Sequence, residues 1–404
     1  MKKLFYSFRI HCLGMLLASA ALTSCLSDGE DTFVLENGKT TVAGIPSDAD
    51  ATPNPVVDGN TTSIPNVLYT TEYDGDDAIV RLDMTGIQDA GDESGWLRLL
   101  GTGYGDQQNV WVEVDGEPKG ILVYNTADDQ SSDAQVKTDI VFLVDNSGSM
   151  RQEADAIAKD ITEWSALLAK TLDVKYGCVG YGGNVGSQYP YLVDSYGVTG
   201  ALDITNSEEL YSYLNKRGLS GTKRTVGYSG ANALDLQNKA SVAEYSKAGG
   251  ECGVQALRFA DENFNFRSGA NRIYVNFTDD ANYPGGSRSI SIDYVLKTDY
   301  WTTNKGTIHS VISNDTASIS KISIGESPWL LSHHTGGTII TTSSSFTGVT
   351  LESLPVTGAM MNSYIIRFTN VADLMDGKPH EVKITIVSPD GKTKAERTFY
   401  IVFG

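Results

Sequence analysis

Asp145-Asn146-Ser147-Gly148-Ser149-Met150 places three oxygen-bearing side chains at alternate positions. Asp145, Ser147 and Ser149 stand at i, i+2 and i+4, and in an extended or turning backbone that spacing aims them to one side. A carboxylate and two hydroxyls are hard donors, suited to Mg²⁺, Ca²⁺ or Mn²⁺ and ill suited to zinc or copper. Asp and Ser are also frequent helix N-caps, so the triplet alone is a weak signal. Its setting strengthens it. Asp139–Val144 just before it is an almost unbroken apolar run, the pattern of a strand buried on both faces. After it, Ala154, Ile157, Ile161, Trp164 and Leu168 fall on one helical stripe. The triplet therefore sits at a strand's carboxyl end, where open α/β sheets bind ligands.

The elements that must hold this loop follow the same alternation. The sequence predicts a strand around Val174–Tyr181, a helix near Ser207–Leu214 and a helix from Gly253 to Phe264. Strands at Arg272–Phe277 and Gly306–Ser313 and a helix–strand unit from Pro328 to Thr341 complete the set. Strands alternating with helices predict a doubly wound parallel sheet, here over residues 138–355. The flanks, 67–137 and 356–404, carry strand signals only. Val110, Val112 and Val114 alternate with Trp111 and Glu113, and Asp115-Gly116 followed by Ile121–Tyr124 predicts a hairpin. Ala78–Leu82 and Trp96–Leu100 are further strand candidates, and Val382–Ile386 and Phe399–Phe403 alternate about Pro389-Asp390-Gly391. Either one β-sandwich built from both flanks receives the α/β domain as an insertion, or two small β domains flank it.

The Asp-x-Ser-x-Ser stretch between a buried strand and an amphipathic helix resembles the von Willebrand factor type A domain, shared with integrin I domains. That family's metal-ion-dependent adhesion site begins with this motif. The resemblance extends to Val275-Asn276-Phe277-Thr278-Asp279-Asp280, where Asp279 matches the family's Asp after a strand ending in Thr. It also covers His334-Thr335-Gly336-Gly337-Thr338 between the last helix and strand. It implies a divalent cation, Mg²⁺ or Ca²⁺ with Mn²⁺ as a further candidate, held by loops from three places. One position would stay open for a carboxylate offered by a protein partner.

The second of those loops departs from the family. Most members carry a Thr in a Gly-Gly-Thr setting, whereas here Gly249-Gly250-Glu251-Cys252-Gly253 precedes the helix. Glu251 then resembles the integrin beta-subunit version, in which a Glu ligates the metal. The other registration uses Thr222 and requires residues 223–250 to be a looped insertion. The implied ligand set is Asp145, Ser147, Ser149, Asp279 and Glu251, with Thr222 as the alternative to Glu251. Three ionised carboxylates around one dication leave a net negative site, a weaker acceptor for a partner carboxylate than one held by Thr. Such carboxylates repel one another without a cation, so binding should stabilise the domain. A second integrin-like site is not supported: only Glu153 stands near its position, where an exposed helix glutamate is expected. Segment 215–250, with Lys216, Arg217, Lys223 and Arg224, reads either as a surface for an acidic partner or as a solvated loop.

Residues 1–24 read as a secretory signal, with Lys2, Lys3 and Arg9 ahead of a short apolar stretch. Leu22-Thr23-Ser24-Cys25 resembles a bacterial lipobox, which implies lipidation of Cys25 and attachment to the outer membrane, on the surface or periplasmic side. Asp28, Glu30 and Asp31 resemble the surface-export signals of Bacteroidetes lipoproteins. Residues 25–66, polar and aperiodic, read as the lipidated Cys and a flexible tether. Loss of residues 1–24 moves the formal charge from −19 to −22. That acidity argues against sequence-independent nucleic-acid binding and against docking on an anionic lipid face. Cys178 and Cys252 either pair or are small buried residues. No zinc spacing, phosphate loop or supported catalytic triad is present, so no enzyme is implied. The expectation is a lipoprotein that binds a protein partner through its metal. The alternative is a structural subunit of an envelope or fimbrial assembly in which the metal only stabilises the fold.

Overall fold

The computed structural model describes residues 44–57, 65–74, 77–92, 95–126, 136–182, 197–215, 230–231, 234–240, 250–313, 325–343, 346, 350–353 and 355–403. The first flank holds β1 (Val67–Asp74), β2 (Asp77–Met84), β3 (Val110–Val114), β4 (Glu117–Pro118) and β5 (Leu122–Asn125). The middle holds β6 (Lys137–Asp145), β7 (Val174–Tyr181), β8 (Val198–Thr205), β9 (Gly230–Ala231), β10 (Ala270–Thr278), β11 (Thr307–Ile312) and β12 (Ile339–Thr341). The second flank holds β13 (Tyr364–Phe368), β14 (Pro379–Val387) and β15 (Lys394–Val402).

The middle strands form a sheet in the order β12-β11-β10-β6-β7-β8-β9. β6 pairs in parallel with β10 and β7, and β8 runs antiparallel to β7. Alternate residues of β6 serve opposite faces, which accounts for its unbroken apolar run. Ile140, Phe142 and Val144 pack against Ile157, Ile161 and Trp164 of the helix Ala154–Leu168. Val141 and Leu143 pack against Val254, Leu257, Phe259 and Ala260 of the helix Gly253–Asn263. The fold is thus a doubly wound, mostly parallel α/β sheet. From β6 the chain steps to β7 on one side and returns by way of β10 on the other, so the strand order reverses between β6 and β10.

Both flanks build the same β-sandwich. Its sheets are β1-β2-β13-β5 and β15-β14-β3-β4, so each contains strands from before and after the α/β sheet. Val110, Val112, Ile384, Ile386, Phe399 and Ile401 of one sheet share a core with Val80, Leu82, Ile366 and Phe368 of the other. The α/β domain is therefore inserted into a sandwich. The helix Pro355–Met361 packs Val356 and Met360 into the α/β core, and Trp164 Nε1 donates to Thr357 Oγ1 at 2.8 Å. The α/β unit thus runs a few residues past 355.

Three local expectations change. Asp115 and Gly116 both adopt positive φ (50° and 83°), as a tight hairpin turn requires, but only Glu117 and Pro118 return along β3. β5 crosses to the other sheet and pairs with β13. Lys119 N–H still donates to the Val112 carbonyl at 2.9 Å, and the chain is then drawn away as the Lys119 ammonium binds Asp48 and the Asn370 carbonyl, both at 3.1 Å. Trp96–Leu100 is not a strand beyond a single bridge to Gln88. The Asn109 side chain instead takes the Leu100 N–H (2.7 Å) and caps the Arg98 carbonyl (2.8 Å). Finally, residues 44–57 are not tether. Ile45 is fully buried, the Asp48 carboxylate accepts from Gly120 N–H (2.9 Å), and Asn54 bonds Glu113 and Thr385. Residues 1–43, with the signal, Cys25 and the start of the tether, lie outside the described residues.

Candidate functional site

The loops after β6 and β10, neighbouring strands at the reversal point, meet at the sheet's carboxyl edge. Asp145 is the last residue of β6 and is buried. Its Oδ1 accepts from Ser147 N–H at 2.9 Å, and its Oδ2 accepts from the Thr278 hydroxyl at 2.9 Å. Ser147 Oγ and Ser149 Oγ share a hydrogen bond of 2.8 Å, and Ser149 Oγ donates to Asp279 Oδ1 at 3.1 Å. An unbroken hydrogen-bonded series thus runs from Asp145 to Asp279. Asp145 and Ser147 are buried, Asp279 is half-buried and Ser149 is exposed, so the group closes at its Asp145 end and opens at Ser149.

Glu251 stands on the same side. A Cβ on Gly182, just past β7, would lie 3.1 Å from Glu251 Cγ and 3.2 Å from Asp145 Oδ1. Either contact is tighter than ordinary packing, and Gly182 has a φ of +65°, which L side chains rarely adopt. Glu251 O accepts from Tyr283 N–H at 2.9 Å, which joins its loop to the one after β10. Burial, then the charges of Glu251 and Asp279, push the Asp145 carboxyl well above the usual carboxylate range. Burial foremost also raises Glu251 and Asp279, with added repulsion from Asp280 in each case.

These side chains offer only oxygen, the donor chemistry of a hard dication. Asp145 is a buried carboxylate hydrogen-bonded to neutral groups, and no cationic side chain among the described residues offsets it. In that respect the residues present fit a bound cation. Among the described residues, however, no three His, Cys, Asp or Glu side chains are grouped so that they could hold a metal ion. Direct coordination by all three carboxylates therefore requires Glu251 or Asp279 to move inward, whereas the two serine hydroxyls already lie between Asp145 and Asp279.

Five of the residues singled out in the sequence, Asp145, Ser147, Ser149, Glu251 and Asp279, thus come to one edge. Cys25, Thr222 and the basic residues of 216–224 lie outside the described residues. Glu153 is not exposed. It is 1% accessible, accepts from the Ser313 hydroxyl at 2.9 Å, and has its pKa raised by burial. Cys178 and Cys252 are both buried free thiols, and burial pushes Cys252 up to about 12. Thr278, Gly182 and Tyr283 are supporting residues that the sequence left without a role. Thr278 stood inside the motif matched by Asp279, but nothing local marks Gly182, which arrives from β7, or Tyr283, whose partner Glu251 is remote in sequence.

The fold and the edge site define a doubly wound α/β domain carried on a β-sandwich. No family model matches the chain, and no curated protein matches it. Among solved structures, BatB from Bacteroides thetaiotaomicron is 14% identical with a TM-score of 0.28, covering 51% of this chain and 90% of that one. A von Willebrand factor type A protein from Catenulispora acidiphila is 10% identical with a TM-score of 0.31, over 86% of this chain and 75% of that one. The open form of the pilus adhesin SpaC from Lactobacillus rhamnosus GG is 10% identical with a TM-score of 0.31, over 83% of this chain. This chain spans 55% of that adhesin's length. Likeness at this level carries no argument, and the fold described above stands on its own strand order and packing.

Proposed function

We propose that this chain is a non-catalytic binding protein of the bacterial envelope, anchored to the outer membrane through Cys25. It binds a protein partner through a divalent cation at the carboxyl edge of β6 and β10. The observation that carries this reading is the hydrogen-bonded series Asp145–Ser147–Ser149–Asp279, closed at a buried carboxylate without a counter-cation among the described residues and open at an exposed serine. Asp145, Ser147, Ser149 and Asp279 would hold the ion, with Glu251 alongside. A bound dication would supply a positive site for a carboxylate of the partner. The chain's own part is to aim the hydroxyls and to neutralise the ion from one side only.

Thermal unfolding with EDTA, Mg²⁺ or Ca²⁺ tests it. A cation at about 100 times its Kd stabilises by about 2.7 kcal/mol, or about 3–4 °C for a protein of this size. The wild type should show that rise and lose it with EDTA, and Asp145→Ala should show none. Identical melting temperatures with EDTA and with either cation in the wild type would refute the reading.

A second reading, a structural subunit whose metal only stabilises the fold, draws on β15. It is an edge strand of its sheet and leaves Tyr400 and Val402 exposed. Loss of assembly on deleting residues 399–404, with the cation response intact, would favour it.

A further inference from the structure

Asn282 is 2% accessible and uses every hydrogen-bonding position of its side chain. Its Oδ1 accepts from Val254 N–H and from the Cys252 thiol, both at 3.1 Å, at the start of the helix that follows Glu251. Its Nδ2 donates to the Ile290 carbonyl at 3.2 Å and to Glu326 Oε2 at 2.7 Å. The donors and acceptors around it fix which end of the amide is oxygen. Its backbone pairs with Glu326 in both directions, each at 2.9 Å. Glu326 is held in turn by Ile292 N–H at 2.8 Å and by the Ser291 hydroxyl. The next residue, Tyr283, takes Glu251 O through its N–H and reaches Asp280 Oδ1 through its hydroxyl at 3.2 Å.

Asn282 follows Asp279 by three residues, and its side chain grips the backbone just after Glu251. These are the two loops whose carboxylates flank the proposed cation. We infer that Asn282, braced by Glu326, is a positioning residue that sets the separation of Glu251 and Asp279 before a cation binds. The inference rests on the metal-site reading above. A buried amide bonded on all sides is costly to displace, because each lost partner leaves a buried polar group unsatisfied. The two loops therefore move together or not at all. This explains how a site whose carboxylates repel one another can keep its shape without a cation.

The test combines amide hydrogen exchange of the cation-free protein with calorimetric titration of Mg²⁺ and of Ca²⁺. Asn282→Ala should speed exchange at Gly250–Val254 at least tenfold and weaken cation binding at least tenfold. Glu326→Gln keeps the Asn282 side chain and should give the same changes at reduced size. Asn109→Ala removes a comparable buried amide from the sandwich. It should lower stability but leave cation affinity within twofold, which separates positioning from general destabilisation. Unchanged exchange in both site variants, or faster exchange with affinity within twofold of wild type, overturns the inference while leaving the metal site standing. A wild type that binds neither cation overturns both.

Discussion

Gly182 leaves β7 with a φ of +65°, and any side chain there would press on both Asp145 and Glu251. Gly182→Ala should therefore cost about 1–2 kcal/mol in urea unfolding, from the left-handed backbone alone. It should also reduce the cation-induced rise in melting temperature, because the new methyl displaces the two carboxylates. Asp145 carries the opposite kind of strain, since its charge is buried beside two like charges. Asp145→Asn removes that charge while an amide can still meet Ser147 N–H and the Thr278 hydroxyl. The cation-free variant should melt above the cation-free wild type and gain nothing from Mg²⁺. A variant that melts lower and still responds would show that Asp145 is a plain structural cap.

At the scale of elements, turns and side-chain caps do what ladders do elsewhere. Asn109, itself buried, satisfies the Leu100 N–H and the Arg98 carbonyl, so Asn109→Ala should cost about 1 kcal/mol or more by leaving part-buried backbone groups without their partner. His380, the second residue of β14, bridges two loops. Its Nδ1 meets Asp115 Oδ2 at 2.7 Å and its Nε2 meets Asp376 Oδ1 at 3.1 Å, while Lys378 also pairs with Asp376. The hydrogen bond to Asp115, then that to Asp376, raises the imidazole pKa above its ordinary value. The folded state thus holds the proton more tightly than the unfolded chain. The resulting stabilisation is complete below the unfolded pKa of about 6.5 and is lost as pH rises through the higher folded pKa. Melting curves from about pH 5.5 to 9 should show the wild type losing stability above pH 6.5 relative to His380→Gln. Parallel curves for the two proteins would remove His380 from the account.

For the whole molecule, the consequence of insertion is that neither flank folds as a unit. β2 lies between β1 and β13, and β3 pairs with β14, so both sheets need the chain ends on either side of the α/β domain. The segment 44–57 closes over the sheet β15-β14-β3-β4. Ile45→Ala should cost about 2–5 kcal/mol, as a large-to-small change at a fully buried site. A loss below 0.5 kcal/mol in urea unfolding would mean that this segment only rests on the surface.

The parts of this protein legible in its sequence are those whose cause is local. The apolar run of β6, the stripe of the following helix and the alternation of β14 and β15 repeat at the period of their own backbone. They announced the doubly wound sheet and the all-β flanks. Asp145, Ser147 and Ser149 were visible for the same reason, because one short loop sets their spacing. What tertiary structure decided is everything that depends on partners remote in the chain. The choice between one sandwich and two lay in the pairing of β2 with β13 and of β3 with β14, across an inserted domain. The fate of 44–57 rested on a few buried apolar residues, Ile45 foremost, and a few polar contacts, in a stretch whose composition reads as linker. Gly182 and Thr278 acquired their roles only when β6, β7 and β10 came side by side, and Asn282 only when the loop after β10 met the start of the helix Gly253–Asn263 and Glu326. No periodicity marks such residues, because what constrains them is the close approach of segments remote in the chain.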